Sequence, residues 1–249
     1  MHYVVNNDPI MSEVFIAWGN IQQIYPFHLQ PPCHYSEIKF QQPALSEQKQ
    51  RQRQVAYFLL WQLLKQIGDE RVFIQGITRG ENGRPRLLNQ TFDFNLSHSG
   101  DWVAVILTKR RQHQSVVAID LEHPKKQRNL ARLLAYYATE EELKWWQECQ
   151  HPEPAFYLSW CAREAILKAK GRGIGAISKV MFEPTEQRFS TSDAPAGTLL
   201  FTSTLPFYLA CYVEDYREEH CYCYQWDNHK LAQVITKFNR YLVVNREQA

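Results

Sequence analysis

The chain has 249 residues, which is enough for one large domain or two small ones around a sizeable core. Its 28 lysine and arginine residues balance 26 aspartate and glutamate residues, so the formal net charge is only +2. This balance gives no sign of a nucleic-acid partner or a membrane surface. The six cysteines form no Cys-x-x-Cys pair, and no apolar run approaches membrane-spanning length. We therefore expect reduced thiols, no signal peptide and a cytoplasmic location.

The N-terminal half is predicted to begin with a strand over residues 14–18 and to continue into a helix over residues 46–67. The first turns of that helix carry three basic side chains, Lys49, Arg51 and Arg53. Such a cluster forms either an ordinary solvated face or a binding site for an anion, and both interpretations stay open at this point.

A strand and two turns are predicted after this helix. Residues 71–78 are strand-like, and Gly83-Arg84-Pro85 is typical of a turn. The run Ser97-His98-Ser99-Gly100 is expected to form a turn that leads into a strand over residues 102–107. Its hydroxyls, amides and imidazole suit a phosphate group, but they suit a hydrogen-bonded turn with a structural histidine equally well. It is not a hydrolase nucleophile motif, because no Gly-x-Ser-x-Gly sequence surrounds the serine.

The most informative strand is predicted over residues 116–122, where four apolar residues precede Asp120 and Glu122. Strand side chains alternate between faces, so these two carboxylates point the same way, with α-carbons about 7 Å apart. Like charges this close are costly unless a cation neutralises them, and a divalent metal ion is one answer. The alternative is a strand end whose two acids simply reach solvent.

Residues 108–115 are polar and separate two halves of similar length and element order. We therefore predict an N-terminal subdomain of residues 1–112 and a C-terminal subdomain of residues 113–249. In the second half we expect a helix carrying Leu130, Leu133 and Leu134 and another capped by Thr139. Antiparallel strands are predicted over residues 176–226, followed by a helical tail from residue 231.

A helix that is apolar nearly all round is predicted over residues 155–169, which indicates burial. Its charges are Arg163, Glu164 and Lys168, and the last two share a face at spacing i, i+4. They are either an ordinary surface ion pair or buried charges that need partners, and so apolar a helix exposes little surface. The glycines of residues 170–175 follow a helix rather than a strand, so they are not a dinucleotide fingerprint.

Three motifs, in this order and spacing, resemble the signature of the Sfp-type 4'-phosphopantetheinyl transferases. They are Asn-Leu-Ser-His-Ser-Gly at residues 95–100, Ala-Ile-Asp-Leu-Glu at residues 118–122, and Trp-Cys-Ala-Arg-Glu-Ala-Ile-Leu-Lys at residues 160–168. Gly83-Arg84-Pro85 is similar to the Gly-Lys-Pro turn upstream of them, and the bacterial holo-acyl-carrier-protein synthases are the most similar branch. Two positions depart from the pattern. Ala118 replaces a common glycine, and Arg163 replaces the usual lysine, which keeps the charge but changes its reach.

The resemblance implies an α+β fold of two similar α+β subdomains related by a pseudo-twofold, with coenzyme A bound between them. It also implies the reaction, in which a monomeric enzyme moves 4'-phosphopantetheine from coenzyme A to a serine of an apo acyl or peptidyl carrier protein. Adenosine 3',5'-bisphosphate is the other product, Mg²⁺ is the cofactor, and fatty acid biosynthesis is one pathway served.

The same resemblance assigns roles to the acids. The implied Mg²⁺ ligands are Asp120, Glu122 and Glu164. Glu140 matches the family's candidate base for the carrier serine, and metal-bound water is a competing base. The implied catalytic residues are Glu164, Lys168, Glu140 and His98.

The remaining implied roles concern the donor substrate. The residues that would contact coenzyme A are Arg53, Arg51, Arg84, Ser97, His98 and Lys168. Arg53 would take the 3'-phosphate, with Arg51 and Lys49 less directly involved, and Arg84 would lie near the adenine or its ribose phosphate. Ser97, His98 and Lys168 would hold the pyrophosphate.

Two other functions stay open. The first is another magnesium-dependent transferase that acts on a small nucleotide, and the second is a non-catalytic coenzyme A-binding module, which would be expected to have lost the carboxylates. A carrier protein of this kind is acidic, so we expect it to dock beside Lys125, Lys126 and Arg128 or at Lys170 and Arg172. The alternative is that these residues form solvated basic loops.

Overall fold

The computed structural model describes residues 13–33, 46–80, 82–110, 115–125 and 128–247. Its helices are α1 (Glu47–Gln66), α2 (Arg71–Gln75), α3 (Leu130–Leu134), α4 (Glu140–Glu148) and α5 (Pro152–Ala169). Its strands are β1 (Val14–Asn20), β2 (Ile77–Arg79), β3 (Pro85–Leu87), β4 (Phe92–Ser99), β5 (Trp102–Lys109), β6 (Val117–Glu122), β7 (Met181–Glu183), β8 (Arg188–Thr191), β9 (Gly197–Thr202), β10 (Tyr208–Val213), β11 (Cys221–Trp226), β12 (Leu231–Val234) and β13 (Asn239–Asn245). None of the described helices is long and apolar enough to cross a membrane.

The strands form two large sheets and one small hairpin. The first sheet has the order β12-β11-β1-β5-β4, the second has the order β6-β10-β9-β13-β8-β7, and β2 pairs with β3. Pairing is antiparallel except between β1 and β11 and between β8 and β13, which are parallel. This mixed architecture confirms the predicted α+β fold class.

One long helix packs on each sheet, and a third apolar layer joins the sheets. Phe58 and Leu59 of α1 are fully buried in the first core, and Phe156 and Ile166 of α5 are fully buried in the second. The joining layer is a buried apolar cluster that includes Ile16. It draws side chains from β1 and β5 of the first sheet and from β6 and β10 of the second. Because β6 and α5 both belong to the second core, the charged residues at the ends of these elements are held on rigid supports.

The predicted boundary between residues 112 and 113 falls within residues 111–114, which lie outside the described residues, and it stays a prediction. The strands β11 and β12 follow that boundary in the sequence, yet they pair in the first sheet, with β11 directly beside β1. The C-terminal part of the chain therefore completes the N-terminal sheet.

Two secondary-structure predictions are wrong, because burial in one case and strand pairing in the other override the local sequence pattern. Residues 71–78 form α2 and the start of β2, because Gly76, at φ 120°, ends a short helix that buries Val72 and Phe73 side by side. The tail from residue 231 forms β12 and β13 rather than a helix, since β12 pairs with β11 and β13 pairs with β8 and β9.

The predicted turn around His98 is also wrong in part. Ser97, His98 and Ser99 extend β4, where His98 lies opposite Val103 of β5. Only two residues make the turn, and the first is Gly100, whose φ of 59° lies in the left-handed region that glycine tolerates best. The serines and histidine are therefore presented by a regular strand.

Candidate active site

A charged cluster forms where β4, β6 and α5 meet. Lys168 Nζ of α5 lies 2.6 Å from Asp120 Oδ1 of β6 and donates a hydrogen bond to Ser97 Oγ of β4 at 3.1 Å. Ser97 Oγ in turn donates to Asp120 Oδ1 at 3.1 Å. The structure thus brings together one residue from each of the three sequence motifs.

Glu122 lies two residues further along β6 than Asp120. Its Oε2 accepts a hydrogen bond from Ser99 Oγ at 2.9 Å, and its Oε1 lies 4.0 Å from Arg128 Nη1. Burial raises the pKa of the Glu122 carboxyl, and the Asp120 charge adds to this, although the Ser99 bond and Arg128 act in the opposite direction. Two serines of β4 therefore each support one carboxylate of β6.

Glu164 lies one helical turn before Lys168 on α5. Burial raises the pKa of its carboxyl to about 7, with a further increase from Asp120 and Glu122 and a decrease from Lys168. Burial lowers the pKa of Lys168, but its bond to Asp120 and the charge of Glu164 outweigh this, so the net shift is upward. At neutral pH, Lys168 is charged and Glu164 is only partly ionised.

The cluster holds more carboxylates than one ammonium group neutralises, and it has features that fit a cation. Asp120 Oδ2 is buried and has no hydrogen-bond partner among the described residues. Mg²⁺ prefers such hard oxygen ligands, together with phosphate oxygens and water. Across the described ranges, however, no group of three or more His, Cys, Asp and Glu side chains is arranged as a ready-made metal site. The protein side chains thus offer part of a metal site, to which a phosphate ligand would add.

His98 lies on β4 between the two serines, with its side chain partly open to solvent. Partial desolvation lowers the pKa of its imidazole, and the nearby charges of Lys168 and Lys49 lower it further. The ring is therefore neutral at pH 7, with one nitrogen able to donate and the other able to accept a hydrogen bond.

Hydrogen bonds hold the first turns of α1 beside the β4–β5 turn. Gln48 and Gln52 both donate to the carbonyl oxygen of Gly100, at 3.1 and 2.8 Å. Ser46 caps the helix, since its Oγ accepts from the backbone amide of Lys49. The positive end of the helix dipole is thus held near the β4–β5 turn.

The structure separates the basic residues of α1. Arg51 donates from Nε to the carbonyl of Ile21 and from Nη2 to that of Gln23, both at 3.1 Å, and its guanidinium lies 4.7 Å from the ring centre of Phe27. Lys49 and Arg53 are exposed. Arg51 therefore supports the loop after β1, and its predicted contact with coenzyme A stays a prediction.

Arg84 is a buried link between elements. Its Nη2 lies 2.7 Å from Asp93 Oδ2 and 2.6 Å from the carbonyl oxygen of Val117, and its Nη1 donates to Ala169 at 3.0 Å. The side chain thus joins β4, β6 and the end of α5. This placement does not favour the predicted contact with the adenine or its ribose phosphate, which stays untested.

Arg163 does not join the cluster, although it is adjacent to Glu164. It is fully buried, pairs with Glu142 of α4 at 2.5 Å, and donates from Nε to the carbonyl of Val180 at 2.9 Å. This pair is hard to predict from the sequence, because Thr139 followed by Glu142 also has the spacing of a capping box. Thr139 does cap α4, but the Glu142 side chain turns to Arg163 instead.

The residues predicted as the base and as the docking surface lie outside the charged cluster. Glu140 is exposed in the first turn of α4, and none of the described ion pairs links it to the cluster. Lys125 pairs with Asp101 at 2.6 Å, and Arg172 lies 3.3 Å from Asp193. Lys126 lies outside the described residues. These placements leave the base and the docking surface as predictions.

Comparison with known proteins identifies the family. The family model described as "4'-phosphopantetheinyl transferase superfamily" matches residues 116–232, which include β6 and α5. A relative from Haemophilus influenzae, named "Putative 4'-phosphopantetheinyl transferase", is 39% identical over 232 residues, covering 92% of this chain and 97% of the relative. The chain belongs to the 4'-phosphopantetheinyl transferase superfamily, so the family resemblance found in the sequence is confirmed.

Proposed function

We propose that this protein transfers 4'-phosphopantetheine from coenzyme A to a serine of an apo acyl or peptidyl carrier protein, with adenosine 3',5'-bisphosphate as the other product. The observation that carries the proposal is the convergence of Asp120, Glu164 and Lys168 in one cluster of a chain from this family. Cleavage of a pyrophosphate requires neutralised charge and an aligned nucleophile, and the cluster offers groups for both tasks.

The reaction is magnesium-dependent in this proposal, with Asp120, Glu122 and Glu164 as the protein ligands. When bound, the ion would neutralise negative charge on the pyrophosphate. The orphaned Oδ2 of Asp120 and the raised pKa values of the two glutamates support this assignment, because a cation would relieve both features.

The protein's own groups account for the other tasks. Lys168 stays protonated and presents positive charge to a phosphate oxygen, and the neutral His98 holds the pyrophosphate from β4. Ser97, whose hydroxyl already donates to Asp120, orients that carboxylate. A proton must leave the carrier serine as it attacks phosphorus. Glu140 is one candidate acceptor, and a water held by the metal ion would be the competing one.

The 3'-phosphate of coenzyme A is assigned to Arg53, with Lys49 beside it, because both are exposed on the first turns of α1. The partner is an acidic carrier protein, which docks on basic residues around Lys125 and Arg128 or around Lys170 and Arg172. The enzyme works as a cytoplasmic monomer, and the acyl carrier protein of fatty acid biosynthesis is the first carrier to test.

A panel of purified apo carrier proteins, incubated with coenzyme A, Mg²⁺ and this protein, tests the proposal. We expect at least one carrier to gain the mass of one phosphopantetheine group on its serine, with stoichiometric release of adenosine 3',5'-bisphosphate. Binding of coenzyme A without turnover on any carrier would instead indicate a binding module. Modification of a small nucleotide without a carrier would indicate a different transferase.

A further inference from the structure

The free edge of β6 is covered by side chains rather than by a paired strand. Among the strands that the structure describes, β6 pairs only with β10, and its other edge faces β4 of the first sheet. Three backbone amides on that edge donate to three β4 side chains: Val117 to Asp93 Oδ2 at 3.0 Å, Ile119 to Asn95 Oδ1 at 3.1 Å, and Leu121 to Ser97 Oγ at 3.1 Å. We name Asp93, Asn95 and Ser97 the side-chain ladder.

The side-chain ladder is regular. Each donor lies 24 residues after its acceptor, so the two strands run in the same direction and advance two residues per rung. The carbonyl groups of this edge are also bonded, since Arg84 donates to Val117 and Lys168 donates to Ile119 at 3.4 Å. Side chains therefore satisfy an edge that would otherwise leave buried backbone groups unpaired.

The side-chain ladder also fixes the register between the sheets. A shift of β6 by one residue would point Leu121 where Asp120 now points, because strand side chains alternate. Asp93 is committed to ion pairs with Arg84 and Arg110, both at 2.7 Å, and Ser97 belongs to the charged cluster. Asn95 is buried, and it bonds the amide directly before Asp120.

We propose that Asn95 is a positioning residue for the transfer reaction: by holding the Ile119 amide, it sets the Asp120 carboxylate against Lys168 and Ser97. The effect on catalysis rests on the proposed function. The effect on the position of β6 does not, so the two can be tested separately.

Replacement of Asn95 by threonine or valine isolates the hydrogen bond, because these side chains have the same shape and only threonine retains an acceptor. Ser97 shows that a hydroxyl on the β-carbon reaches an amide of β6 from this strand. We expect Asn95→Val to lower kcat about 10-fold or more, with KM for coenzyme A changed less than about threefold. Asn95→Thr should recover most of kcat.

The second readout is hydrogen exchange of the Ile119 amide, which requires no substrate. Exchange should accelerate in Asn95→Val and stay close to wild type in Asn95→Thr. Thr202→Val is the control, since it removes a buried hydroxyl from β9, which bonds Thr204 rather than β6, and should leave both readouts unchanged. Should Asn95→Val fail to fold, Asn95→Ser and Asn95→Ala give the same comparison.

Equal kcat for the threonine and valine variants, with Ile119 equally protected in both, would overturn the proposal. If the wild-type protein modifies no carrier, the proposed function fails, and the exchange of Ile119 still decides whether Asn95 holds β6. Faster exchange in the valine variant without any loss of kcat would show that Asn95 supports the fold and does not position the reaction.

Discussion

The ionisation of Glu164 depends strongly on its surroundings. Its folded pKa of about 7 lies above the 4.5 of an ordinary glutamate, so the folded chain holds a proton that the unfolded chain releases. The stabilising effect of that proton is complete below the unfolded pKa and is lost as the pH rises through the folded pKa. Ionisation of Glu164 should therefore lower the free energy of unfolding as the pH rises from about 4.5 to about 8.

Glu164→Gln removes this titration, since the amide is neutral at every pH. Relative to this variant, the free energy of unfolding of the wild type should fall by about 1–3 kcal/mol between about pH 4.5 and pH 8, measured by urea denaturation without Mg²⁺. Glu219→Gln, at an exposed position, serves as the control and should parallel the wild type. Parallel pH curves for wild type and Glu164→Gln would contradict the raised pKa.

Arg53 and Arg51 lie two residues apart on α1 but should behave differently. If Arg53 binds the 3'-phosphate, Arg53→Ala should raise KM for coenzyme A roughly 10- to 150-fold and leave KM for dephospho-coenzyme A nearly unchanged. Arg51→Ala is the comparison, and it should lower stability instead, because it loses the bonds to Ile21 and Gln23. Equal losses for both substrates in Arg53→Ala would move the assignment to Lys49.

The helices α4 and α5 are joined by the buried pair of Glu142 and Arg163, which gives a physical reason for arginine at this position in place of the lysine of the motif that the sequence resembles. Arginine reaches Glu142, the Val180 carbonyl and Ser159 at once, whereas lysine cannot present this planar set of donors. The departure lies on a different face of α5 from the cluster, so it concerns stability rather than chemistry.

Arg163→Lys should therefore lower the free energy of unfolding by about 1–3 kcal/mol, because buried acceptors lose their partners. Under conditions where the variant is folded, kcat should stay within about threefold of wild type. Urea denaturation and transfer kinetics measure the two effects, with the exposed Arg217→Lys as the control. A variant as stable as wild type but with greatly reduced kcat would place Arg163 in the reaction.

Elements that bury a continuous apolar face could be predicted from the sequence, and this covers β6 and α5 together with the residues that they carry. The strand β12 could not be predicted, because it is short and becomes a strand only by pairing with β11, which itself belongs to the first sheet. Arg84 likewise follows a turn glycine, where arginine is usually exposed, and only the assembled fold shows that β4, β6 and α5 surround it.

The charged cluster lies at the junction of two sheets that share an apolar layer. The family motifs could be recognised in the sequence because each lies on one element. The side-chain ladder of β4 could not, because its rungs depend on how β4 and β6 are placed side by side. The position of Asp120 is thus a property of the assembled molecule.

Carrier recognition also depends on how distant parts of the chain are assembled, because the basic residues proposed for docking come from separate loops. We expect KM for an acidic carrier to rise with ionic strength between low and physiological salt, since screening weakens attraction between exposed charges. Lys170→Glu should enlarge KM for the carrier without changing KM for coenzyme A, with Lys230→Glu, on the β11–β12 turn, as the control. A carrier KM that is independent of salt would contradict electrostatic docking.

The intact mass of an apo carrier after incubation with coenzyme A, Mg²⁺ and either wild type or Asp120→Ala tests the proposed transfer reaction directly. Glu164→Ala should behave like Asp120→Ala, and Glu122→Ala should be less severe, since water can replace one ligand of Mg²⁺. We expect the wild type to add one phosphopantetheine group to the carrier serine and Asp120→Ala to add almost none at saturating Mg²⁺. A wild type that modifies no carrier of the panel would contradict the proposed transfer reaction, and an Asp120→Ala variant within about threefold of the wild-type rate would contradict the role of Asp120 in it.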